Sequence, residues 1–169
     1  MGYVNDTQMS QFIPAALAVF SAGTWTPALS SNVCSMDRTA ADASFTAHIP
    51  VVVPGNAAAF KGAKLKSIDV YYSIGTAAAD DFATVELEKM TLPATGSAVT
   101  GAAVSTTIDT AHDSAAERKA VDSHKMTVTL DTPAFIDDND GYQLILTVDA
   151  AATTVFKLIG AVAHYELRV

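Results

Sequence analysis

Residues 66–74 read KSIDVYYSI. Ile68, Val70, Tyr72 and Ile74 fall on one side of an extended chain, and Ser67, Asp69, Tyr71 and Ser73 on the other. Alternation with a period of two marks a strand with one buried face. Three more stretches repeat it. ATVELEK (83–89) places Val85 and Leu87 inward, KMTVTLD (125–131) places Met126, Val128 and Leu130 inward, and QLILTVD (143–149) does the same with Leu144, Leu146 and Val148. Thr, Val, Ile and Tyr recur in these stretches and suit a pleated surface. SFTAHIPVVV (44–53), closed by the turn signal Pro54-Gly55-Asn56, supplies another strand. VFKLIGAVAHYELRV (155–169) is a long last strand in which Gly160 marks a bulge or bend.

One segment departs from this pattern. TAHDSAAERKAVDS (110–123) is rich in Ala, Glu, Arg and Lys, and predicts a short helix over about 114–121 with Asp113 or Ser114 as its N-cap. TAAADDFATV (76–85) and VDAAATTVFK (148–157) are expected to be small-residue hairpin turns. Many strands, closely spaced turn signals and one minor helix predict an all-β chain, an antiparallel β-sandwich. A jelly roll is the preferred topology and an immunoglobulin-like sandwich the alternative.

The chain has 169 residues, half of them hydrophobic and 17% charged, enough apolar material for one sizeable core. Charge is unevenly spread: residues 1–60 carry only Asp6, Asp37, Arg38 and Asp42. Such a segment suits an arm lying on a neighbouring subunit and suits core strands with connecting loops; a mixture is expected, divided into a largely extended N-terminal arm over 1–40 and a sandwich domain over 41–169. A net charge of −8 repels phosphate backbones, so no nucleic-acid partner is expected. The apolar run FIPAALAVFSAG (12–23) follows no basic residue and is too short to span a bilayer, so neither signal nor membrane anchor is expected. The single cysteine, Cys34, allows no intramolecular disulfide and is expected to be a small buried or semi-buried residue.

Few stretches suggest chemistry. In DDNDG (137–141), Asp137 and Asn139 match the first two ligands of an EF-hand loop, but Gly141 takes the third place and Val148 the place of the final Glu. Asp137, Asn139 and Asp140 are left as candidates for a looser calcium site, against a polar turn as the favoured reading. Asp80-Asp81 is expected to be a turn as well. No two of His48, His112, His124 and His164 have metal-ligand spacing. A Ser-His-Asp triad has no GxSxG to support it, and neither a P-loop nor GxGxxG occurs, so no enzyme activity and no cofactor are expected. Trp25, Tyr71, Tyr72, Tyr142 and Tyr165 are the aromatics a sugar platform would use. By alternation Tyr72 belongs to the core and Tyr71 to the outer face.

Three long stretches carry a resemblance: GAKLKSIDVYYSIGTAAADDFATVELEKMTLPATG, TIDTAHDSAAERKAVDSHKMTVTL and PAFIDDNDGYQLILTVDAAATTVFKLIGAVAHYEL. Over roughly residues 45–167 the chain is similar to uncharacterised virion-associated β-sandwich proteins of tailed phages and viral metagenomes. The resemblance implies a capsid decoration protein or another head or fibre component in the virion. It would be trimeric, with further copies of itself and a major capsid or other virion protein as partners, and it would have no catalytic residues. Low charge and a long uncharged segment agree with such packing. The alternatives are a carbohydrate- or receptor-binding sandwich and a calcium-stabilised filament or adhesive subunit.

Overall fold

A computed structural model describes residues 6–53, 63–93, 95–137 and 139–168. The expected turn Pro54-Gly55-Asn56 and Asp138 of the acidic loop lie outside the described residues. The strands are β1 (Asp6–Pro14), β2 (Val19–Phe20), β3 (Trp25–Ser30), β4 (Val33–Arg38), β5 (Ala43–Val51), β6 (Ala63–Gly75), β7 (Asp81–Thr91), β8 (Thr100–Val104), β9 (Thr106–Ile108), β10 (Asp122–Leu130), β11 (Asp140–Ala150) and β12 (Val155–Arg168). A 3-10 turn covers Ala15–Leu17, and the helix α1 covers Ala115–Arg118. Among the described residues no helix is long and apolar enough to cross a membrane.

Two antiparallel sheets face each other. One runs β3-β4-β12-β6-β10-β9, with β1 also pairing β12, and the other runs β2-β5-β11-β7-β8. Within them, β4-β12-β6-β10 and β5-β11-β7-β8 have the strand order of two interlocked Greek keys, which is the jelly roll. Outside the β3–β4, β7–β8 and β9–β10 pairs, every step along the chain crosses from one sheet to the other. This corrects the expectation for the two small-residue segments, which are not hairpins. Residues 76–80 carry the chain from β6 to β7, and residues 151–154 carry it from β11 to β12, each between sheets. The two arches pack side by side, where the buried Thr154 hydroxyl donates to the Ala78 carbonyl at 2.9 Å. Small side chains let the arches approach. Alternation shows where a strand stops but not which sheet takes the next one.

The core lies between the sheets. Ile68, Val70, Tyr72 and Ile74 are at most 2% exposed, as their alternation predicts. Met126 and Val128 of β10 and Leu144, Leu146 and Val148 of β11 are wholly buried beside them. Each large apolar side chain moved out of water contributes about 1.5–3 kcal/mol. Gly160 marks the predicted bulge, because the β12–β6 register shifts between Leu158 and Gly160. Its φ is +151°, and a Cβ there would stand 2.6 Å from the Ile13 carbonyl oxygen, so glycine lets β1 lie close on β12.

Helix α1 is shorter than its predicted span. Ser114 and Glu117 form a reciprocal capping box at its start, and Lys119 closes it before β10 begins at Asp122. Residues 6–38, read as part of an arm, are largely extended, and they add to the sheets of their own chain. β1 pairs β12 from Asp6↔Arg168 to Pro14↔Gly160, β2 pairs β5, and the β3–β4 hairpin joins β12 through Met36 and Asp37. Ile13 and Ala15 of this segment are buried in the core. The tip of the hairpin overhangs the sheet edge, since β4 meets β12 only near Arg38. Cys34 is therefore exposed, contrary to the burial expected of it.

Candidate binding surface

The outer face of the β1-β12-β6-β10 layer carries a polar groove of about 460 Å³. Its floor is organised by Asp69, which faces outward on β6 as alternation requires yet is only 6% exposed. The carboxylate is covered by its own partners. Its Oδ1 accepts from the Thr127 hydroxyl at 2.7 Å, and its Oδ2 accepts from the Lys125 ammonium at 2.9 Å and lies 3.1 Å from His164 Nε2. The other ring nitrogen of His164 meets the Ser10 hydroxyl of β1 at 2.8 Å. Burial pulls the Asp69 carboxyl upward, but the hydrogen bonds from Lys125, Thr127 and His164 outweigh it and hold the group below the usual carboxylate range.

Ser10, His164 and Asp69 thus form the hydrogen-bonded line that composition alone left open. Its chemistry differs from that of a nucleophilic triad. Asp69 is shared with an ammonium, which neutralises the charge that a triad carboxylate must offer an imidazolium. The line fixes side chains from β1, β12, β6 and β10 in place. Along the groove some hydrogen-bonding capacity is unspent: among the described residues neither the Gln8 amide nor the Ser67 hydroxyl has a partner, and Lys125 uses one of its three N–H groups. Glu166 stands 3.7 Å from Lys66 at the rim.

A second, apolar groove of about 350 Å³ lies between β1, the 3-10 turn and the β3–β4 hairpin, with Phe12, Pro27, Leu29, Cys34, Met36 and Ile159 among its walls. Phe12 is 58% exposed and Leu29 72% exposed.

The calcium candidates have other work. Asp140 gives one carboxylate oxygen to the Lys89 ammonium and the other to the Thr91 hydroxyl, and its amide donates to the Asp137 carbonyl. Asn139 donates its side-chain amide to the Leu92 carbonyl, and its own carbonyl accepts from the Leu92 amide. Asp137 is exposed. A cation site needs several free oxygens, and an ammonium in its place opposes it. These residues clamp the end of β7 to the start of β11. Among the described residues no group of three or more His, Cys, Asp or Glu is placed to hold a metal ion.

His112 and His124, twelve positions apart, are brought together by the turn around α1. His112 Nε2 lies 3.2 Å from His124 Nδ1. His112 Nδ1 faces the Asp109 carboxylate at 2.8 Å, and His124 Nε2 faces the Ala120 carbonyl at 3.0 Å. Both outer contacts end on acceptors, so the full chain of bonds needs three ring hydrogens, one more than two neutral imidazoles carry. The His124 ring stacks on Tyr72, whose hydroxyl donates to the Arg118 carbonyl at 2.9 Å. Burial pushes the Tyr72 hydroxyl far above its ordinary value.

Other aromatics named in the sequence are mostly structural. Trp25 stacks on Phe20 with ring centres 3.7 Å apart and donates its indole N–H to the Ala22 carbonyl. Tyr72, Tyr142 and Tyr165 are buried. Tyr71 is half-buried on the outer face, paired across the ladder with Lys125.

No protein-family model matches the sequence, and no curated protein matches it. Two of the solved structures that are similar in shape show what the likeness is. One is of carbohydrate-binding modules from the β-sandwich superfamily, described for their promiscuous specificity, at 14% identity and a TM-score of 0.40, covering 92% of this chain and 55% of that one. The chain thus spans about half the length of that structure. The other is a family 32 carbohydrate-binding module from C. perfringens NanJ in complex with galactose, at 13% identity and a TM-score of 0.32, covering 92% of this chain and 99% of that one. The likeness goes no further than a β-sandwich.

Proposed function

We propose that this chain is a non-enzymatic structural protein of a virion, a decoration or accessory subunit that packs on copies of itself, as a trimer, and on a larger shell. The observation that carries this reading is the apolar face of the N-terminal strands. Phe12 and Leu29, 58% and 72% exposed, stand with Pro27, Cys34, Met36 and Ile159 in the walls of one apolar groove. Between Asp6 and Asp37 the sequence has no charged residue at all. A contiguous apolar surface without interspersed charge is costly when bare and is what a lasting protein interface covers. The resemblance over residues 45–167 supplies the virion context.

Cys34 tests it, because this sole thiol stands in the wall of the apolar groove. Its reaction with a thiol reagent should be slow in the wild type, whose assembly covers the face and persists on dilution. Leu29→Asp, which puts a charge on that face, should keep the thiol fast at every concentration. The same rate in the wild type and in Leu29→Asp would remove the reading.

A second reading is a carbohydrate- or receptor-binding sandwich, favoured by the polar groove around Asp69. Ser10, Asp69, Lys125, Thr127 and His164 are held in place before any ligand arrives, which lowers the ordering cost of binding.

A further inference from the structure

We propose that the groove over Asp69 binds an uncharged glycan, with Gln8, Ser67 and Lys125 as the groups that grip it. The proposal rests on the carbohydrate-binding reading above and gives it a place and a ligand class. The site is built rather than incidental. A nearly buried carboxylate fixes Lys125 and Thr127 from β10 and His164 from β12, and His164 fixes Ser10 from β1. Four adjacent strands contribute to it, and its volume of about 460 Å³ lies within the roughly 300–1,000 Å³ of ligand clefts.

The ligand class follows from charge and from unspent bonds. Every ammonium at the groove already faces a carboxylate, Lys125 against Asp69 and both Lys64 and Lys66 against Glu166, so a phosphate, sulfate or sialic acid would have to displace one of them. A sugar hydroxyl both donates and accepts. The groove offers donors in the Lys125 ammonium and the Gln8 amide, and acceptors in the Ser67 hydroxyl and the Gln8 carbonyl. A peptide adding as a strand is disfavoured on the groove floor itself, because β12 and β6 are paired on both edges there, while β1 and the Lys125 end of β10 offer an edge only at the groove's flanks. The lining aromatic, Tyr165, is only 4% exposed and its hydroxyl is turned to Gln11, so the site cannot stack on a sugar ring. Each site therefore binds weakly through hydrogen bonds, and strength comes from many copies displayed together on an assembly.

The test is a glycan array probed with the full chain, followed by titration of the best ligand against wild type, Ser67→Ala and Gln8→Ala. Both substitutions leave the Asp69 network intact. We expect an uncharged glycan to bind and each substitution to weaken it about 3- to 10-fold, the worth of one hydrogen bond. Binding of an uncharged glycan that neither substitution weakens would overturn the groove as its place and leave the carbohydrate reading standing. Binding of acidic glycans alone would overturn the ligand class. No glycan binding, with folded protein, would overturn both.

Discussion

Replacing Arg118 with methionine removes a buried guanidinium and keeps most of its apolar stem. Arg118 is 6% exposed. Its Nε and one terminal nitrogen donate to the Phe82 carbonyl at 3.3 and 3.1 Å, and the other donates to the carbonyls of His112 and Asp113 at 2.8 and 3.0 Å. Phe82 sits where the β7–β11 register shifts, between Asp81 and Thr84, so its carbonyl takes the guanidinium beside the irregular ladder. Methionine strands the carbonyls of Phe82 and His112 in a buried place, and each unsatisfied group costs about 1–3 kcal/mol. We expect a net loss of about 3–4 kcal/mol, and a fall in Tm of about 10 °C for a chain of this size. Lysine should recover part of the loss, since one ammonium cannot fork between both sides. Urea unfolding followed by far-UV circular dichroism gives the midpoint and slope for each variant. A methionine variant within about 0.5 kcal/mol of wild type, the range of an ordinary surface change, would refute the claim that Arg118 ties the α1 connection to β7.

Gly160→Ala should destabilise the chain by about 1–3 kcal/mol through its positive φ alone, and more through the clash with the Ile13 carbonyl. Proteolysis should then cut β1 before the rest of the sandwich, and an unaltered digestion pattern would deny that glycine seats β1. Asp69 and Asp109 are both lowered in the folded chain: burial raises each, while hydrogen bonds from Lys125, Thr127 and His164 to Asp69, and from the Thr127 amide and His112 to Asp109, outweigh it. The unfolded chain then takes up protons first as pH falls, so their contribution is complete above about pH 5 and drains away below about pH 4. Asp69→Asn should be less stable than wild type at pH 7 and lose less on acidification, and parallel acid limbs for the two proteins would contradict this. Tm should be the same in calcium and in chelator, because Asp140 is committed to Lys89 and Thr91; a clear rise with calcium would restore the acidic loop as a metal site.

Strand positions were legible because one face of each central strand is buried, and burial writes itself as alternation. KSIDVYYSI announces β6 down to the side on which each residue falls. The N-terminal strands are harder to read, since β3 lies at a sheet edge and carries apolar residues on exposed positions. The polar groove was illegible for another reason: Asp69 meets Thr127 and His164, which are 58 and 95 positions away. Periodicity places Asp69 on the outer face but cannot say that other side chains will cover it there. The HDSAAER stretch (112–118) departs from the strand pattern, and the structure gives its residues mechanical roles. Ser114 and Glu117 cap the helix, Arg118 holds carbonyls, and His112 reaches His124.

Light scattering behind a size-exclusion column, over a range of concentrations, tests the central claim most directly. The account predicts a trimer or a larger closed species that persists on dilution and is lost in Leu29→Asp. A monomer at every concentration, the same with and without that substitution, would contradict it.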